Sequence, residues 1–193
     1  MKLKELRFAT SFLVVLVAAT PLWAAGTKIA GDEFGIELPQ GFPDAAKNET
    51  SAEVEGQTIT TTTYVSRIPT GTFIFAFSDF GVVPADPGLE MAKAKDQLLQ
   101  AVKGAAKSLA ETPFHGHPSM RMVFAGSGQI PQYGRVRLVF AGARLYQVIY
   151  LAGSEDALSA PEVSSSFESL SLPDAVAEAP ADKRVVRAEA GNE

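Results

Sequence analysis

The stretch from Met120 to Leu151 constrains this 193-residue chain more than any other. It reads as three consecutive strands, Met120–Gly126, Gly134–Phe140 and Arg144–Leu151. Turn signals at Ser127-Gly128 and Ala141-Gly142 join them. Side chains alternate along a strand, so Val136, Leu138 and Phe140 share one face. In the third strand Leu145, Ile149 and Leu151 share one face, and Tyr146, Val148 and Tyr150 the other. A strand apolar on both faces needs cover on both. The pattern predicts the middle of a sheet with material above and below it.

Other segments extend that sheet. Phe34–Leu38 alternates and predicts the first strand, closed by the loop from Pro39 to Pro43. Glu53-Val54-Glu55 and Thr58–Ser66 predict strands around Gly56. The β-branched run Thr60–Thr63 suits a half-exposed or edge strand. Thr72–Phe80 places Phe73, Phe75 and Phe77 on one face and Ile74 and Ala76 on the other.

Asp86-Pro87 predicts a helix start, with Asp86 capping and Pro87 at the first helical position. Leu89, Ala92, Leu99, Val102, Ala106 and Leu109 recur at helical spacing, with Lys93, Gln97, Gln100, Lys103 and Lys107 on the other side. That spacing carries the expected helix as far as Leu109. Ser159-Ala160-Pro161-Glu162 resembles a capping box before a short helix bearing Val163, Phe167 and Leu170.

The two ends read as segments outside the fold. Lys2, Lys4 and Arg7 precede the apolar run Phe8–Ala19, and Thr20-Pro21 and Leu22–Gly26 follow it. This is the pattern of a cleaved signal peptide over residues 1–26, too short in its apolar part for a membrane span. The expected location is therefore periplasmic or secreted, with no transmembrane segment after cleavage. Residues 27–173 form the expected single domain. The Ala-rich tail, residues 174–193, has almost no large apolar residue and is expected to be disordered.

Composition then excludes some chemistry. The chain has no cysteine, so disulfides, thiol nucleophiles and thiolate metal sites are absent. Removing the leader leaves 14 Lys and Arg against 21 Asp and Glu. With no basic cluster along the sequence, nucleic acid has no electrostatic support as a partner. Gly-x-Ser-x-Gly, Gly-x-Gly-x-x-Gly and Walker-type loops are missing. The Glu155-Asp156 pair sits at a helix start, where it serves the dipole. The histidines are His115 and His117, in Phe114-His115-Gly116-His117-Pro118. Two residues apart on a strand they would reach one metal, but Gly116 and Pro118 argue for a turn, and a zinc site needs a third ligand.

The order of these elements resembles the PsbP-like fold, a family that includes many small exported bacterial proteins of unknown function. Four stretches carry the likeness: Phe34–Phe42, Phe114–Pro118, Gly142–Gly153 and Phe167–Leu172. Ser119 stands where a second Gly often follows the Pro, and Leu170 where Phe is usual. The resemblance implies an α+β protein, an α/β/α sandwich whose central antiparallel sheet is flanked by helices. It brings no catalytic residues and no cofactor. The expectation is a non-enzymatic exported protein whose partner is another envelope protein. Two alternatives stay open: a metal or small-ligand carrier using His115 and His117, and a hydrolase with an unrecognised site.

Overall fold

The computed structural model describes residues 28–54, 56–127 and 132–173. The leader and tail read from the sequence lie outside these residues. A short hairpin comes first, β1 (Lys28–Gly31) and β2 (Phe34–Glu37). Then follow β3 (Ala46–Val54), β4 (Gln57–Ile68), β5 (Gly71–Asp79), α1 (Pro87–Ala101), β6 (Gly104–Glu111), β7 (Ser119–Gly126), β8 (Gln132–Ala141) and β9 (Arg144–Ala152). A 3-10 turn at Asp156–Ser159 leads into α2 (Pro161–Glu168).

The large sheet has seven strands, all antiparallel, in the order β3-β4-β5-β9-β8-β7-β6. The three strands read between Met120 and Leu151 are neighbours, and β9 is central. Register explains why the pattern was so apolar. Ala46, Val65, Ile74, Ile149, Val136, Met122 and Leu109 form one row across all seven strands.

Each face of the sheet has its own core. On one, Phe73, Phe75, Tyr146, Val148 and Tyr150 pack against Ile36, Leu38, Phe42, Leu158, Val163 and Phe167. That cover is the β1–β2 hairpin, the loop after it, the 3-10 turn and α2. Tyr146 and Phe75 stack with ring centres 6.3 Å apart. On the other face, Met120, Met122, Phe124, Val136, Leu138 and Ile149 meet Met91, Ala94 and Leu98 of α1 and Val102 just after it. A fully buried side chain of this size contributes about 1.5–3 kcal/mol, so two such layers are enough to hold the sheet.

The expected α/β/α sandwich is overturned. The described residues form a sheet-rich fold with two α-helices, of 15 and 8 residues. A β-hairpin and irregular segments form much of one outer layer, and α1 touches the β6–β8 part of the other face. The helix expected to reach Leu109 stops at Ala101. Lys103 turns the chain with φ +48, and Gly104 starts a strand. A Cβ at Gly104 would lie 2.7 Å from the Ala125 carbonyl oxygen, so only glycine lets this strand close on β7. The packed stripe of α1 is partly as read: Leu99, and Val102 just past the helix end, pack on the core together with Met91, Ala94 and Leu98, whereas Leu89 is exposed. The start of α1 is as read, with the Asp86 carboxylate accepting the Leu89 N–H at 2.9 Å. The capping box at Ser159 does not form. Ser159 ends the 3-10 turn, and Ala160, with no side chain to offer, precedes α2.

Two sets of polar contacts fix the hairpin over the sheet. Gly35 and Ser171 exchange backbone hydrogen bonds at 3.0 and 2.8 Å, and the Glu37 N–H donates to Ser169 Oγ at 2.8 Å. At the other end, Arg144 Nε donates to Asp79 Oδ2 at 2.8 Å, and its Nη1 donates to Glu33 in the hairpin turn.

Candidate functional site

Alternation in Gly134-Arg135-Val136-Arg137 turns both arginines of β8 to the face opposite Val136. Register adds a third. Arg121 of β7 lies directly across from Arg137. Directly opposed residues have Cβ atoms about 5 Å apart, and diagonal ones about 7–8 Å. Arg121, Arg135 and Arg137 are therefore one patch, between α2 and the β6 edge.

The three are held differently. Arg137 is buried, with 4% of its side chain exposed. Its Nη1 donates to the Phe167 carbonyl at 2.5 Å and its Nη2 to Glu168 Oε1 at 2.7 Å. Its guanidinium lies 4.3 Å from the centre of the Phe114 ring, a cation–π contact. Its Nε has no hydrogen-bond partner among the described residues, and neither has the buried Ser119 Oγ. Arg135 is half-buried. Its Nη1 donates to Ser164 Oγ at 2.9 Å and to the Leu158 carbonyl at 3.3 Å, and it lies 4.8 Å from the Phe167 ring centre. Arg121 is exposed, and no hydrogen bond or ion pair holds its side chain among the described residues. Lys107 projects to the same face and pairs with Glu155.

Charge in this patch is unbalanced. Burial pulls the Arg135 pKa down, and the Arg137 and Arg121 charges pull it further, against Glu168. Glu168 interacts with all three guanidiniums. Its hydrogen bond from Arg137 is the main reason its carboxyl is held below the ordinary glutamate value. One carboxylate thus faces three cations, and the free donors on Arg121 and Arg135 suit a carboxylate or phosphate oxygen.

The histidines occupy a different position. His115 and Gly116 are the two central residues of a tight turn, with φ +50 and +81. Phe114 and His117 close it by exchanging backbone hydrogen bonds at 3.0 Å. The His115 ring is exposed and stacks on Phe114, centres 4.1 Å apart. His117 is buried, and its Nε2–H donates to the Pro173 carbonyl at 2.8 Å. No group of three or more His, Asp or Glu able to hold a metal occurs among the described residues. A depression of about 340 Å³ at the hairpin turn is lined by Asp32, Glu33, Phe34, Ser171 and Pro173 among others, and by neither histidine.

The sequence reading missed the arginine patch. Its signal was the period-two pair Arg135 and Arg137; Arg121 joins them only through strand pairing 16 positions away in register.

No family model matches the sequence, and no curated protein matches it. Among solved structures, the chain is similar to PA94 from Pseudomonas aeruginosa, a protein of unknown function. The match has 13% identity and a TM-score of 0.36, covering 68% of this chain and 85% of that one.

Proposed function

We propose that this chain is an exported, periplasmic, non-enzymatic binding protein that recognises an acidic group on a partner through Arg121 and Arg135. One observation carries the reading: three arginines at adjacent sheet positions share one carboxylate. Like charges side by side on a sheet oppose folding, so the arrangement suits a protein that meets its counter-charge in a partner. Arg137 supports the patch from below, fixed by Phe167, Glu168 and Phe114. Arg121 and Arg135 present the donors. The chain as a whole is acidic, so long-range steering does not draw an acidic partner in. Recognition is by short-range, charge-assisted hydrogen bonds.

The test is titration of the mature chain with a short oligoglutamate peptide, followed by calorimetry at two salt concentrations. Saturable binding is expected, weakened by salt and by Arg121→Glu or Arg135→Gln. Absence of binding, or binding that neither variant alters, overturns the reading.

A further inference from the structure

The arginine patch ends at an open sheet edge. Among the described residues β6 is the outermost strand, paired with β7 on one side only, and Ala105 to Glu111 are all exposed. A free edge offers unpaired N–H and C=O groups to another chain. The Thr112 N–H donates to the Ser119 carbonyl at 3.1 Å. In an antiparallel ladder, bonded pairs alternate. Ala110 therefore turns its backbone groups inward to Arg121, while Leu109 and Glu111 turn theirs outward. A bulge between Ala106 and Ser108 interrupts the strand at Lys107. The open, regular stretch is Ser108 to Glu111.

Side chains on this stretch fit a particular kind of segment. On the arginine face, Ala110 lies across from Arg121 and Ser108 across from Val123. Both are small, so neither side chain screens Arg121 from a strand placed beyond β6. On the opposite face Leu109 is 47% exposed, at the end of the seven-strand apolar row. An incoming strand would meet a cation on one face and an uncovered leucine on the other.

The two edges of the sheet are not equivalent. On the arginine side, β3 presents Lys47, Glu49, Ser51 and Glu53. An acidic segment added there would place carboxylates beside Glu49 and Glu53, an unfavourable cross-strand pairing. At β6 the same segment meets Arg121, with Arg137 and Arg135 behind it. Charge thus selects the β6 edge.

We propose that β6 accepts an extended segment of a partner protein as an eighth strand, acidic side chains on the arginine face alternating with apolar ones beside Leu109. This rests on the acidic-partner reading above and adds the conformation and pattern of what is bound. Backbone pairing gives affinity in such additions, and alternate side chains give specificity.

Three amidated peptides test it against the mature chain: one alternating Glu and Val, the same residues as a Glu block followed by a Val block, and the alternating peptide N-methylated on every second amide. The alternating peptide is expected to bind, and N-methylation to weaken it about ten-fold or more, because each methyl removes a backbone donor. The block peptide is expected to bind more weakly than the alternating one. Leu109→Pro should weaken the alternating peptide to a similar degree. Its lost N–H faces outward, where an edge strand tolerates proline. The N-methyl comparison needs no change to the protein, so it stands even where that variant folds poorly. Equal binding of all three peptides, still lost in Arg121→Glu, overturns strand addition and leaves arginine recognition intact. No binding of any acidic peptide overturns both.

Discussion

Arg137 and Glu168 join the sheet to α2 through a 2.7 Å ion pair of unequal exposure: 4% for the arginine side chain and 58% for the glutamate. The buried member also caps the end of α2 through the Phe167 carbonyl. Removing one partner is therefore not equivalent to removing the other. Loss of the glutamate removes a mostly solvated charge, whereas loss of the arginine leaves a helix-end carbonyl and the Phe114 ring without their contact.

Replacing Arg137 with Ala should cost about 3 kcal/mol, from the charged hydrogen bond and the packing on Phe114. Arg137→Met, which keeps the volume, should cost less than the alanine. Urea unfolding of the two variants beside the parent measures both. Equal stability of parent and alanine variant would show that α2 is held by its apolar face alone.

Glu168 should leave a signature at acid pH. Its folded-state carboxyl lies below the ordinary value of 4.5, with the Arg137 hydrogen bond as the largest cause. A depressed pKa stabilises the native state above the unfolded value and loses that contribution as pH falls through the folded one. Glu168→Gln should thus narrow the stability gap from the parent as pH drops below about 4.5. Part of the acid limb should survive in the variant. Asp79, hydrogen-bonded by Arg144, is shifted in the same direction. Parallel melting curves for parent and variant from pH 7 to pH 3 would contradict this assignment.

Arg121→Gln should stabilise the free protein slightly, by a few tenths of a kcal/mol, because it removes one of two opposed arginines. The gain should shrink as salt is added, since Arg121 is exposed and its repulsion is screened. Chemical denaturation at low and high ionic strength measures it. A loss of stability at low salt would mean that Arg121 has a structural role and that the patch is not electrostatically frustrated.

The parts of this fold visible in the sequence are those encoded by local alternation. Val136 and Ile149 declared their strands because each belongs to an apolar set of period two, and that period survives folding. Residues 104–109 did not, because Ala106 and Leu109 continue the helical spacing begun at Leu99. What stops the helix is the positive φ of Lys103 and the close approach of Gly104 to Ala125, both fixed by pairing with β7. The arginine patch was half visible for the same reason. Arg135 and Arg137 share a face by alternation alone, but Arg121 reaches them only through strand register. Cover on the outer face was hidden too. The β1–β2 hairpin is held by contacts to Ser169 and Ser171, more than 130 residues away.

The central strand provides a strong test of the architecture. Ile149 is 7% exposed and stands mid-row between Ile74 and Val136. Ile149→Asp would place a carboxylate among apolar neighbours with no counter-ion in the row. A lone buried charge costs several kcal/mol, comparable with the whole ~5–15 kcal/mol stability of a domain. Loss of soluble folded protein is expected. A parent-like thermal transition in this variant would place the strand at the surface and contradict the seven-strand order.

The turn at His115 and His117 separates a metal carrier from a metal-free binder. Coordination through His117 Nε2 would require breaking its 2.8 Å hydrogen bond to Pro173 and drawing a buried ring outward. His115, stacked on Phe114, is the exposed member of the pair. We expect the melting temperature of the tag-free mature chain to be unmoved by one equivalent of zinc or copper. A ligand bound only by the native state would raise it. His117→Gln should cost about 1–2 kcal/mol of stability through lost hydrogen bonding and packing and so lower the melting temperature, and His115→Gln should change it little. A saturable metal-dependent rise, abolished in the double variant, would show that the turn opens to bind metal and would favour the carrier.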